Sequence, residues 1–128
     1  MPVNVKASGT GYALATTGDV NHAGKFEPDV SAVGVPRIRM YKVGRLIFVV
    51  VHGNPSKPLK KGSWYEIPTN SCLDPQTGFL QDLWYNGHHC QLEITAGKYR
   101  FRTFAYDMTA DDFFSDTFVY MSSNADNV

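Results

Sequence analysis

Eight consecutive residues, Asp82-Leu-Trp84-Tyr85-Asn86-Gly87-His88-His89, bring aromatic rings, a carboxylate, an amide and two imidazoles to one short stretch around a turn signal. That set suits recognition of a polyhydroxylated ligand. A flat ring covers the C–H face of a sugar, and carboxylate, amide or imidazole groups bond its hydroxyls in a shallow cleft. In this reading Trp84 stacks with Tyr85 beside it, while Asp82, Asn86 and His88 bond hydroxyls. The same residues also fit a plain fold role, with Trp84 or Tyr85 in the core and the histidines exposed on a turn. A second aromatic and polar cluster is Trp64 and Tyr65 beside Lys60 and Lys61. An anionic polymer, such as a phosphate-bearing glycan, would meet those lysines as point charges, whereas a solvated loop would need no ligand at all.

Three other chemistries are open to these residue types. His88, His89 and Cys90 with Cys72 carry zinc-ligand groups, but adjacent strand residues point to opposite faces, so His89 and Cys90 do not easily share one ion. Asp107, Asp111, Asp112 and Asp116 carry oxygens for calcium without the glycine-bearing loop that would array them. A glycosidase would need two carboxylates across a cleft, for which Asp82 and one of Asp107 to Asp116 are the available pair. The chain has no nucleophile elbow, no glycine-rich phosphate loop with its lysine and no His-Glu-x-x-His. We therefore expect a non-enzymatic protein with no cofactor and no metal.

The elements that must position these groups read as strands. Val35 to His52 begins with alternation, Ile38 and Met40 against Arg37, Arg39 and Tyr41, and continues into six apolar residues, Leu46 to Val51. The first half predicts a strand with one wet face and the second a central strand buried on both faces, with Val43-Gly44 supplying the turn between them. Trp64 to Pro68 reads as an edge segment closed by its proline. Leu80 to Tyr85 and Gln91 to Thr95 read as strands around Asn86-Gly87, with the two histidines lengthening the connection beyond two residues. Lys98 to Tyr106 alternates again, Tyr99 and Phe101 against Lys98, Arg100 and Arg102. Phe113 to Met121 is rich in β-favouring types and is assigned as a strand, although Thr109 to Asp112 also resembles a helix cap. Residues 1–34, broken by glycines, form an N-terminal arm or short strands, and residues 35–128 the main domain. The expected fold is all-β, an antiparallel β-sandwich of jelly-roll type.

Composition narrows the partners. Twelve basic and twelve acidic residues cancel, which removes the electrostatic case for general nucleic-acid binding. The charges are segregated: Val30 to Tyr65 holds seven Lys or Arg and no acid, and Thr103 onward holds five acids and no base. Such edges could orient subunits head to tail. No segment approaches the ~18 to 20 apolar residues of a membrane span, and the first residues lack a secretion signal's apolar run. The expectation is a product of the cytoplasm whose Cys72 and Cys90 are reduced thiols.

The order of signals resembles a known family. Arg39-x-Tyr41-Lys42-x-Gly44-Arg45-Leu46-Ile47 with its valine-rich strand is similar to the hairpin of receptor-binding and tail-fibre head domains in phages of Gram-positive bacteria. Glu66-Ile67-Pro68, the hairpin Ile94 to Phe101 and the aromatic strand Phe113 to Tyr120 follow in the same order, so the resemblance covers about residues 35–121. Residues 1–34 do not read as the collagen-like or coiled shaft that usually precedes such a head. The resemblance implies a homotrimeric head in a virion that recognises a host cell-surface saccharide, attached through its N-terminal arm or other virion proteins. The alternative it leaves is a purely structural virion component, a capsid decoration or baseplate protein.

Overall fold

The computed structural model describes the backbone of residues 4–7 and 10–13 and the whole of residues 24–128. The first two segments are strands β1 (Asn4–Ala7) and β2 (Thr10–Ala13), an antiparallel pair. The rest is a β-sandwich. One sheet contains β3 (Gly24–Phe26), β4 (Ile38–Val43), β5 (Leu46–Gly53) and β10 (Phe114–Met121), in the spatial order β10-β5-β4-β3. The other contains β6 (Tyr65–Ile67), β7 (Phe79–Tyr85), β8 (His88–Thr95) and β9 (Lys98–Thr103), in the order β6-β9-β8-β7. Every pairing is antiparallel. In the second sheet three hairpin-linked strands lie with a fourth beside the last of them, a Greek-key arrangement.

Period-2 alternation builds the core from both sheets. Ile38, Met40, Ile47, Val49 and Val51 meet Leu83, Leu92, Ile94, Tyr99 and Phe101, with Phe114, Phe118 and Tyr120 closing one side. The alternation in β4 and β9 is as expected, and β5 is central, between β10 and β4. One correction concerns β5: Ile47, Val49 and Val51 are fully buried, but Leu46, Phe48 and Val50 on the other side are only half-buried. A six-residue apolar run specifies a central strand without specifying a cover for its second face.

The row Ile38, Met40 continues to Lys42, which is 4% exposed. Its ammonium donates to the carbonyls of Cys72 (2.6 Å), Asn124 (2.6 Å) and Asp126 (2.5 Å). A buried cation needs such partners, and three acceptors match its three protons. They fasten the C-terminal segment and the 3-10 turn Ser71–Leu73 to the first sheet.

A second correction concerns the β7–β8 connection. Tyr85 pairs with His88, so the turn is the two residues Asn86-Gly87 and both histidines belong to β8. Asn86 (φ 47°) and Gly87 (φ 85°) both have positive φ, as a I′ hairpin turn requires. The Phe114–Met121 strand is as assigned, and Thr109 to Asp112 is a turn closed by Asp112 N–H to the Thr109 carbonyl rather than a helix cap.

Candidate functional site

The tight turn fixes the register of β7 against β8, and through it the chemistry of the second sheet's outer face. Trp84 lies opposite His89, Asp82 opposite Gln91, Gln91 opposite Arg102 and Glu93 opposite Arg100. The Tyr65–Phe101 pairing adds β6 beyond β9. The side chains of the Trp84, Asp82, Gln91 and Glu93 rows therefore point away from the core, in parallel rows across the sheet, while Tyr65 and Phe101 face it.

Trp84 is 62% exposed. One face of its indole stacks on the His89 imidazole, with centroids 3.9 Å apart and planes within 10°. Its main-chain N–H donates to Asp116 Oδ2 at 3.0 Å, away from β8. Trp84 and His89 thus form a non-hydrogen-bonded pair, the type in which facing side chains come closest. With one face on the imidazole, the exposure falls to the other face and the ring edge. That is a platform open to a ligand.

The platform is backed by a polar network. Asp82 Oδ1 accepts from Gln91 Nε2 (2.8 Å) and pairs with His89 Nε2 (2.7 Å). A carboxylate only accepts, so Nε2 carries the proton, and Nδ1 of a neutral ring is left an acceptor. The Gln91 amide, then the His89 ring, hold the Asp82 carboxyl below its ordinary range. Among the described residues Asp82 Oδ2 has no hydrogen-bond partner, so the ionised group keeps an acceptor facing solvent. Gln91 Oε1 accepts from Arg102 Nε at 2.6 Å. The Arg102 guanidinium carbon lies 4.2 Å from the Trp64 ring centroid and 5.0 Å from that of Phe104, and Arg100 lies 4.4 Å from Trp64. Phe104 in turn meets the His89 ring edge-on at 4.9 Å. Lys61, Gly62, Trp84, His89, Phe104 and Ala105 line a cleft of about 590 Å³ along this face. Its loop wall is set by the Leu59–Met108 bridge and by Lys61 N–H donating to Asp107 Oδ1 at 2.8 Å.

The structure brings Asp82, Trp84 and Trp64 to one face, joining two clusters that lie twenty residues apart in sequence. It separates the others from them. Tyr85 and His88 point to the opposite side, where Tyr85 packs edge-on against Phe113 and Phe114 and His88 Nε2 lies 3.4 Å from Asp112 Oδ1. Asn86 sits at the turn tip. His88 is thus not a partner of Trp84, because the two-residue turn gives that place to His89. His89, Gln91, Arg100, Arg102 and Phe104 were not singled out from the sequence as site residues. Counting back along β8 from an Asn-Gly turn of two residues would have found His89 and Gln91.

The metal and carboxylate-pair options are taken up differently. His89 faces outward, while Cys90 is fully buried with its thiol on Met108 Sδ at 3.5 Å. Burial pushes the Cys90 thiol up to about 12, and Cys72 and Cys90 are both free. Among the described residues no group of three or more His, Cys, Asp or Glu side chains is arranged to hold a metal ion. Asp107, Asp112 and Asp116 accept main-chain N–H groups from Lys61, Thr109 and Trp84 respectively. Comparison with family models, with curated proteins and with solved structures gave no match.

Proposed function

We propose that this chain is a non-enzymatic adhesion domain that holds a saccharide on the outer face of the β6-β9-β8-β7 sheet. The observation that carries this is the exposed indole of Trp84, stacked on His89 and flanked by an ionised Asp82 with a free acceptor. A sugar ring offers a C–H face to such an indole and hydroxyls to such a carboxylate. The platform is set on strands and cross-bonded, so little side-chain freedom is lost on binding. Among the described residues every carboxyl with a resolved shift, Glu27, Asp29, Asp82 and Asp112, moves downward. A glycosidase's general acid needs the reverse.

The sequence resemblance supports the biological setting: a receptor-binding head of a phage of Gram-positive bacteria, trimeric, carried in the virion beside other virion proteins, with host surface saccharide as its ligand. A solution mass about three times that of the chain is the expected outcome of light scattering. One observation favours a purely structural virion component instead, namely the apolar outer face of the other sheet, where Val119 and Met121 are exposed beside Leu46, Phe48 and Val50. A face of that kind suits packing against protein.

Binding to a glycan array and to whole Gram-positive cells separates the readings. The adhesion domain binds glycan or cells, and Trp84→Ala weakens this by about thirtyfold with little change in thermal stability and none in solution mass. A Trp84→Ala protein that binds as well as the parent contradicts the assignment of the site. A parent that ignores every glycan and associates only with assembled particles favours the structural component.

A further inference from the structure

Charges on the outer sheet face are unevenly matched. The Asp82 carboxylate is engaged by Gln91 and His89, Glu93 by Arg100 at 2.8 Å, and Glu66 faces Lys98 at 3.7 Å. Arg102 and Lys61 are left over. Among the described residues neither has a carboxylate within ion-pairing distance.

Arg102 is nonetheless held in place. Its Nε is fixed by Gln91, and its guanidinium lies against the rings of Trp64 and Phe104. Its two terminal amino groups have no hydrogen-bond partner among the described residues. Lys61 lines the cleft along the same Phe104. Its main-chain N–H is taken by Asp107, and its ammonium makes no hydrogen bond among the described residues. A planar guanidinium, pinned by rings and an amide, presents a fork of N–H donors that matches a carboxylate or phosphate, and a nearby ammonium adds a second positive charge.

We propose that Arg102 and Lys61 form an anion subsite around Phe104, so that the saccharide taken by this face is an acidic one bearing carboxylate or phosphate groups. This rests on the saccharide reading of the Trp84 platform and adds the chemical class of ligand. A sugar ring stacks on Trp84 while an acidic substituent on it, or on the adjoining unit, meets the guanidinium. Asp82, the acid in Arg102's own cross-strand row, feels the guanidinium charge but makes no hydrogen bond to the fork, because Gln91 lies between them and bonds both.

The test is calorimetric titration of the whole chain, at fixed ionic strength, with maltohexaose, hexagalacturonate and a 6-phosphorylated mannose oligomer. At least one acidic probe binds tighter than maltohexaose by about tenfold or more, as a hydrogen-bonded charge pair implies. The preferred probe tells carboxylate from phosphate. Arg102→Gln reduces that probe to the neutral level, and Lys61→Gln, which alters only an exposed loop, reduces the preference in part. Equal binding of neutral and acidic probes, or a preference that survives both substitutions, overturns the anion subsite and leaves the saccharide reading standing. Absence of binding by all three overturns both.

Discussion

The two sheets of this sandwich have interchangeable inner faces and opposite outer ones. Inside, Ile38, Met40, Ile47, Val49 and Val51 on one sheet and Leu83, Leu92, Ile94, Tyr99 and Phe101 on the other are alike in chemistry and all buried. Outside, cross-strand rows of the first sheet read Met121-Leu46-Val43 and Val119-Phe48-Tyr41. Rows of the second read Asp82-Gln91-Arg102 and Trp84-His89-Phe104. The inward residues therefore specify the sandwich, and the outward ones what it meets. One outer face offers apolar area at the Met121 and Val119 rows, suited to another protein surface, and turns polar at Thr117, Arg39, Ser115 and His52. The other offers ring faces, ionised groups and free acceptors, suited to a small polar ligand.

If inner rows carry stability and outer rows carry binding, the largest stability effect comes from an inner position with a polar role. Lys42→Met leaves the Asn124 and Asp126 carbonyls without a donor, while the Cys72 carbonyl keeps the Ser122 hydroxyl at 2.8 Å, and at ~1 to 3 kcal/mol for each such group the loss is roughly 2 kcal/mol or more. A thermal or urea melt checks it. An unchanged melt would mean that the ammonium is no anchor for the C-terminal segment. Next, Trp84→Ala on the polar face costs roughly 2 kcal/mol of glycan binding, the level of a hot-spot aromatic, and little stability. Val119→Ser on the apolar face leaves glycan binding unchanged. Equal losses from the two substitutions, read by titration, would erase the distinction between the faces.

A smaller effect is expected from Asp82→Asn, about tenfold in binding, since it weakens the group that orients His89 and Gln91. The pH dependence has a definite sign. The folded pKa of Asp82 is depressed, so its contribution is present above the ordinary carboxylate value near ~4 and is lost as pH falls through the lower folded value. Binding measured at falling pH should hold through pH ~5 and decline only below ~4. The Asp82→Asn protein should lack that decline.

Much of this was legible in the sequence, because period-2 alternation is a local signal. It gave the buried rows of β4 and β9, whereas which of Trp84 and Tyr85 faces outward stayed open. What was hidden depends on pairing. Placing His88 beside Trp84 assumed a longer connection, and a turn of two residues exchanges His88 for His89, since a one-residue shift moves every side chain to the other face. The convergence of Trp64 with Asp82 and Trp84 depends on β6 lying beside β9, a non-local contact that no window of sequence displays. Lys42 continued the apolar row Ile38, Met40 at the right spacing, but its three acceptors come from residues 72, 124 and 126, far along the chain.

The chain's two tryptophans are both on the polar outer face, so their indole N–H signals in a 1H–15N spectrum report on that face alone. Titration with a glycan that the protein binds is predicted to shift the Trp84 indole signal first, together with the amides of His89 and Phe104. Shifts confined to β4, β5 and β10, with both indole signals unmoved, would contradict the account.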